Sequence, residues 1–210
     1  PVKDFQTIYK WMHGLNSSYN ALQVSVDRRY SRGFTVSGAY TWSKNLDYVS
    51  RQAWGGAFGI NNPWNFFFSR GNSDLSRQHR LVSSFVWDLP RFQKSTAAAI
   101  LGNWRLSGII TLQTGRPFSV GATNNPMAGA GAARADLVGS GYPVLDPGRS
   151  KGEKLAAYFD KARFTNPPPN TYGTLGRNAL IGPGFANTDV SLAKGWRLPF
   201  FGEAGRIEYR

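Results

Sequence analysis

Residues Phe34 to Asp47 read FTVSGAYTWSKNLD, and their alternation leaves the backbone few options. Phe34, Val36, Gly38, Tyr40 and Trp42 share one parity, and Thr35, Ser37, Ala39, Thr41 and Ser43 share the other. Successive side chains of a strand point to opposite faces, so this is a strand with one apolar, aromatic face and one small, polar face. In a soluble sheet the apolar face turns inward to a core. In an outer-membrane barrel it turns outward to lipid.

The pattern recurs. YNALQVSVDRRY sets Leu22, Val24 and Val26 against Gln23, Ser25 and Asp27. HRLVSSFVWDLP sets Leu81, Phe85, Trp87 and Leu89 against Arg80, Ser84 and Asp88. WRLSGIITLQTG sets Trp104, Leu106, Ile110 and Leu112 against Arg105, Ser107, Thr111 and Gln113. TDVSLAKGWRLP sets Val190, Leu192, Trp196 and Leu198 against Asp189, Ser191 and Ala193. RIEYR begins another strand with Ile207 and Tyr209 on the apolar side, and FQTIYKW, Phe5 to Trp11, offers a weaker first one. Each clear segment approaches the about 9–11 residues a tilted strand needs to cross a bilayer.

The connectors alternate in length. SRG at 31–33 and FFGEAG at 200–205 are short, whereas Leu46 to Gln78 and Arg116 to Ala186 are long. Structureless loops beyond about 15 residues are uncommon inside compact soluble domains. Outer-membrane barrels have short periplasmic turns and long extracellular loops. With the short turns on the periplasmic side, Tyr30, Phe34, Trp87, Trp104 and Trp196 fall near that interface, and Tyr40 and Trp42 near the opposite one. Amphipathic rings favour both membrane–water interfaces. The expected fold is all-β: an antiparallel up-and-down transmembrane β-barrel, here a partial barrel of about 6–7 strands with long extracellular loops. The expected membrane girdle is Phe34, Tyr40, Trp42, Trp87, Trp104 and Trp196.

Composition removes several alternatives. The 210 residues contain no Cys, which excludes disulfides, thiolate metal sites and cysteine nucleophiles, and only 2 His. No run of about 18 apolar residues occurs, so no transmembrane helix is expected, a test that barrel strands escape. The formal charge of +13 suits solvated loops and strand ends or an anionic partner such as lipopolysaccharide. Basic residues are spread along the chain rather than gathered in a stripe, so no nucleic-acid partner is expected. GAGAAR at 129–134 lacks the remaining elements of a phosphate loop and reads as a flexible loop tip. Ser, His and Asp meet in SDLSRQHR, Ser73 to Arg80, without a nucleophile elbow, and there Asp74 and Arg80 suit hydrogen bonds at a barrel rim. No catalytic residues, cofactor or metal site are expected, and the chain does not read as an enzyme.

NSSYNALQVSVDRRYSRGFTVSGAYTWSKNLD (Asn16 to Asp47), SDLSRQHRLVSSFVWDLP (Ser73 to Pro90), GNWRLSGIITLQTGRPFSV (Gly102 to Val120) and YGTLGRNALIGPGFANTDVSLAKGWRL (Tyr172 to Leu198) occur in that order. Together they resemble the C-terminal barrel region of Oar-like TonB-dependent outer-membrane receptors, which carry a carboxypeptidase-regulatory-like domain, a plug and a barrel of about 22 strands, within the range of bacterial barrels. The resemblance implies a location in the outer membrane of a Gram-negative-type bacterium. It implies that residues 1–210 are a fragment of the barrel domain, without plug, TonB box or final strand. It also implies a receptor that binds a ligand at extracellular loops and imports it through a gated barrel. The implied partners are outer-membrane lipid and lipopolysaccharide, the plug of the same chain, the TonB complex and an unknown extracellular ligand.

Two groups of residues are candidates for that work. The loop RQAWGGAFGINNPWNFFFSRGNSD, Arg51 to Asp74, sets Trp54, Phe58, Trp64 and Phe67 among Asn, Gly and Arg, a mixture that suits sugars or peptides. Arg80, Asp88, Arg105, Asp189 and Glu208 lie on the polar parity and would form a charged ladder in the lumen, gripping a plug or lining a ligand route. Two rivals remain open at this point: a passive porin or surface structural barrel, and a soluble carbohydrate-binding β-sandwich.

Overall fold

The structure, a computed structural model, describes residues 13–31, 33–50, 60–62, 64–90, 102–123, 133–141, 143–146, 148–197 and 206–209. The suggested first strand Phe5 to Trp11, the candidates Trp54 and Phe58, the turn 200–205, Leu198 and most of the glycine-rich run at 129–134 lie outside these residues.

In chain order the strands are β1 (Ser18–Ser31), β2 (Phe34–Asp47), β3 (Gly71–Asn72), β4 (His79–Asp88), β5 (Trp104–Gln113), β6 (Pro117–Phe118), β7 (Asp136–Leu137), β8 (Phe164–Thr165), β9 (Leu180–Ile181), β10 (Phe185–Arg197) and β11 (Arg206–Tyr209). Among the described residues one short α-helix, α1 (Lys151–Ala156), precedes β8. The chain divides into two compact units, a strand unit (21–43, 77–115, 183–210) and a loop unit (1–20, 44–76, 116–182).

The strand unit is an open antiparallel sheet in the order β1-β2-β4-β5-β10-β11, an up-and-down meander that does not close. Its register carries the alternation of the sequence across β2–β4, β4–β5, β5–β10 and β10–β11. Val36 faces Phe85 and Tyr40 faces Leu81. Leu81 faces Leu112 and Trp87 faces Leu106. Leu106 then faces Leu192, and Trp196 faces Ile207. Because a slip of one residue would move a whole strand to the other face, this agreement fixes the register. The apolar face is bare: Leu22, Val24, Val26, Trp42, Trp87, Leu112, Val190, Leu192, Trp196, Ile207 and Tyr209 are all exposed. A face of that kind on a soluble domain would be covered, and here the described residues supply no covering layer.

Two glycines are fitted to close approaches. Gly33 turns the chain between β1 and β2 at φ +80°, and a Cβ there would lie 2.6 Å from the Asp88 carbonyl oxygen. Gly108 lies under the Phe85 ring, where an added Cβ would meet Phe85 Cε1 at 2.8 Å and the Asp189 carbonyl oxygen at 2.8 Å. The ring thus fills the space that the missing side chain leaves on the apolar face.

The loop unit departs from the expectation of structureless connectors. Here β6 pairs with β9, β7 pairs with β8, and isolated bridges join Gly121 to Arg134 and Val144 to Phe159. Phe118, Phe159 and Phe164 pack ring on ring, with centroids 5.8 and 5.5 Å apart. Helix α1 begins with a capping box: Ser150 Oγ accepts from the Glu153 amide, and Glu153 Oε2 accepts from the Ser150 amide at 2.8 Å. The core is small and largely polar, with Tyr48, Ala135, Leu175 and Leu180 buried beside Asn61, Ser69, Ser73, Arg134, Arg177 and Asn178. A polar core holds only if its groups are paired, so the loop unit rests on its hydrogen bonds.

Candidate functional site

The densest of those bonds converge on Arg177. Its side chain is 4% exposed, and it donates to Asp47 Oδ1, to the Asp47 carbonyl at 3.2 Å, to Ser50 Oγ at 2.5 Å and to Asp74 Oδ1 at 3.3 Å. Beside it Asn178, at φ +50°, donates from Nδ2 to the Asn72 carbonyl at 2.6 Å and to Asp74 Oδ1 at 2.7 Å. Ser119 Oγ accepts from the Asn178 amide at 2.8 Å. Gly71 packs directly on the Arg177 carbonyl, so a side chain at 71 would collide with it. One arginine and one asparagine therefore clamp the end of β2, the β3 turn and the segment before β9. Asn tolerates the left-handed backbone at 178 as few other residues do, which makes the turn possible.

A second buried cation lies in the same unit. Arg134 sits over the Phe68 ring, with Cζ 4.8 Å from the centroid. Its Nη2 donates to the Phe68 carbonyl at 3.0 Å, and its amide donates to Asn61 Oδ1 at 3.2 Å. Asn61 Nδ2 in turn donates to the Gly173 carbonyl at 3.2 Å. Burial, with a smaller contribution from the charge of Arg177, pushes the Arg134 guanidinium down to about 10. Arg134 is the last residue of the stretch expected to be a loop tip, and the structure corrects that expectation for this residue, which is 2% exposed.

The predicted residues divide accordingly. Trp64 and Phe67 are 87% and 80% exposed. They project from a stapled turn: Asn62 Oδ1 accepts from the Trp64 amide at 2.8 Å and from the Asn65 amide at 3.2 Å, and a 3-10 turn spans Phe66–Ser69. Phe67 meets Tyr48 edge-on with centroids 6.4 Å apart. In the strand unit, the register puts Arg80, Asp88, Arg105 and Asp189 on the face opposite the aromatics, and Glu208 pairs with Gly195 on that same parity. Arg105 Nε donates to Asp88 Oδ1 at 2.6 Å, the two residues being directly opposed on neighbouring strands. Val82, Val86 and Ile109 share that face, so it is less uniformly polar than its charges suggest. Of the residues in SDLSRQHR, Ser73 pairs with Ser50 Oγ at 3.2 Å and His79 Nδ1 with Tyr40 Oη at 2.7 Å, so each has a partner other than a neighbouring triad member. Asp74 does sit in a hydrogen-bonded cluster, as its place in the sequence suggested.

At one end of the sheet Phe34 faces Trp87, Trp87 faces Leu106, and Trp104 faces Lys194. Tyr40 and Trp42 belong to the other end. Lys194 was not singled out by its sequence. It stands on the apolar parity, with its ammonium 5.1 Å from the Trp104 ring centre and 5.2 Å from that of Trp196. Cations held over indole faces are stabilised by the ring quadrupole.

A bare apolar sheet, aromatic strand ends and long connectors are together the description of a barrel wall. The family described as "Outer membrane beta barrel domain" matches residues 1–210. The chain belongs to that family. No curated protein and no solved structure matches the chain. Membership of this outer membrane barrel family places the protein in the outer membrane of a Gram-negative bacterium, and the open sheet is the partial barrel expected from the strand pattern.

Proposed function

We propose that this outer membrane beta barrel domain is part of a TonB-dependent receptor that binds a ligand at its extracellular loops and imports it through a gated lumen. The observation that carries the reading is the loop unit. A connector that only closed a pore would have little use for a buried polar clamp at Arg177 and a stapled turn that holds Trp64 and Phe67 in solvent. Preorganised loops reduce the ordering cost of binding, and aromatic faces beside Asn and Arg supply contact area with hydrogen-bonding edges.

In this reading the apolar parity faces lipid and lipopolysaccharide, with Phe34, Tyr40, Trp42, Trp87, Trp104 and Trp196 as the girdle. Arg80, Asp88, Arg105, Asp189 and Glu208 face the lumen, where they meet a plug of the same chain. The TonB complex acts on that plug, and the chemistry is binding and gating rather than catalysis, with no nucleic-acid partner. The test is conductance of the full-length protein in planar bilayers. A plugged receptor should show no steady open-channel current until urea loosens its plug. Steady ohmic current from untreated protein would replace the receptor with a passive porin.

A further inference from the structure

The Arg134 guanidinium is held in place yet incompletely used. Its plane lies over Phe68 and Nη2 is tied to the Phe68 carbonyl, while Nε and Nη1 are buried without a hydrogen-bond partner among the described residues. The Tyr172 hydroxyl is likewise buried and unpartnered. Tyr172 adjoins Gly173, which packs so directly on the Arg134 carbonyl that a side chain there would collide with it. Buried charge without a counter-group is strongly unfavourable, and buried donors are almost always satisfied.

The described residues of the loop unit do not supply the missing anion, and Asp4 of the same unit lies outside them. Asp47 and Asp74 are committed to Arg177, and Asp74 also to Asn178. Asp136 accepts from the Thr174 amide, Asp146 from the Gly148 amide and Asp160 from the Ala162 amide, and Glu153 closes its capping box. By sequence, residues 51–59 and 124–132 contain neither Asp nor Glu. The described residues of this unit carry ten Lys and Arg against six Asp and Glu, a net charge of +4, so the unit as a whole attracts anions.

We propose that Arg134 anchors an oxyanion-binding site in the loop unit, taking a carboxylate, phosphate or sulfate group, with Tyr172 as a second donor. This rests on the receptor reading only in assigning the oxyanion to the imported ligand; the site itself is independent of transport.

The experiment is thermal unfolding of the full-length protein in detergent with inorganic phosphate or citrate as probe, and chloride at equal ionic strength as control. Saturable stabilisation by phosphate or citrate is expected, with the apparent Kd raised at least tenfold in Arg134→Gln and severalfold in Tyr172→Phe, which removes only the hydroxyl and spares the fold. Lys151→Gln, at an exposed position, should bind as the wild type does. Nanodiscs with and without lipid A separate the sources: if the lipid's phosphates fill the site, lipid A alone will stabilise the wild type and abolish the response to added phosphate. Equal responses to chloride and phosphate, or an unchanged Kd in both Arg134→Gln and Tyr172→Phe, would overturn the site. Specific binding in a protein that conducts freely in bilayers would keep the site and remove the receptor.

Discussion

Replacing Arg177 by Ala should open the loop unit while leaving the strands intact. The side chains of Arg177 and Asp47 are 4% and 11% exposed, so truncation leaves a buried carboxylate without its cation. Breaking a buried pair from one side costs about 3–5 kcal/mol. The Asp74 contact adds little, since that carboxylate is 34% exposed and screened by water. Ser50 Oγ and the Asp47 carbonyl lose a donor as well, but these losses belong to the same event and are not added. At about 1.4 kcal/mol per decade, the opening equilibrium should rise by about a hundredfold to a few thousandfold. Hydrogen exchange on the full-length protein in detergent reads this directly. Amides of Ser73 and Asp74, which donate to the Asn45 carbonyl and to Ser50 Oγ, should exchange faster by that factor. Amides inside β4 and β5 should not change. The pair Arg177→Ala with Asp47→Ala should cost less than the sum of the single changes, because each single change strands the other charge. If Arg177→Ala behaves within twofold of Lys151→Ala, an exposed control, the clamp is not what holds the loops.

The other expectations concern the sheet and the capped helix. Gly108→Ala should slow assembly and cost about 1–3 kcal/mol, since its Cβ would meet Phe85 Cε1 at 2.8 Å, and Phe85→Ala in the same chain should recover part of the loss in a heat-modifiability gel. Arg at Val36, Leu106 or Leu192 should cost about 2–4 kcal/mol near the bilayer midplane, whereas Arg at Ser37, Ser107 or Ser191 should be mild; equal damage on both faces in a urea-folding assay would contradict the orientation. Hydrogen bonds from the Ser150 hydroxyl and amide hold the Glu153 carboxyl below its usual range. A depressed carboxylate pKa adds stability that is present above about pH 4.3 and lost as pH falls through the folded value. Amides of α1 should therefore lose protection as pH falls below about 4.3, and Glu153→Gln should remove that pH dependence.

The strand unit was legible because each strand carries its own evidence. Period-two alternation is local, so Val36, Leu106 and Leu192 could be assigned a face before any pairing was known, and the register confirmed it. Lys194 escaped because its charge contradicted the parity it occupies; the Trp104 and Trp196 rings around it suit a cation there. The loop unit was not legible for the opposite reason. Arg177 and Asp47 are 130 residues apart, and nothing in either local stretch names the other. Arg134 lay at the end of a run of Gly and Ala that suggests freedom, yet it pairs across the chain with Asn61 and Phe68. The aromatic turn was half visible: Trp64 and Phe67 do face solvent, whereas Phe68, next in sequence, is the ring that lies beneath a buried cation.

An outer-membrane wall requires the apolar parity of the strands to meet lipid. The 210 residues contain no Cys, so a nitroxide can be attached at single cysteines along Trp104–Gln113 and Phe34–Trp42 of the full-length protein in bilayers. Collision with oxygen, which concentrates in lipid, is compared with collision with a polar nickel chelate. Oxygen access should peak at 36, 40, 106, 110 and 112, and nickel access at 35, 37, 107 and 111, with a period of two through both strands. Nickel access peaking at the apolar positions, or no alternation at all, would contradict the outer-membrane wall on which the receptor reading is built.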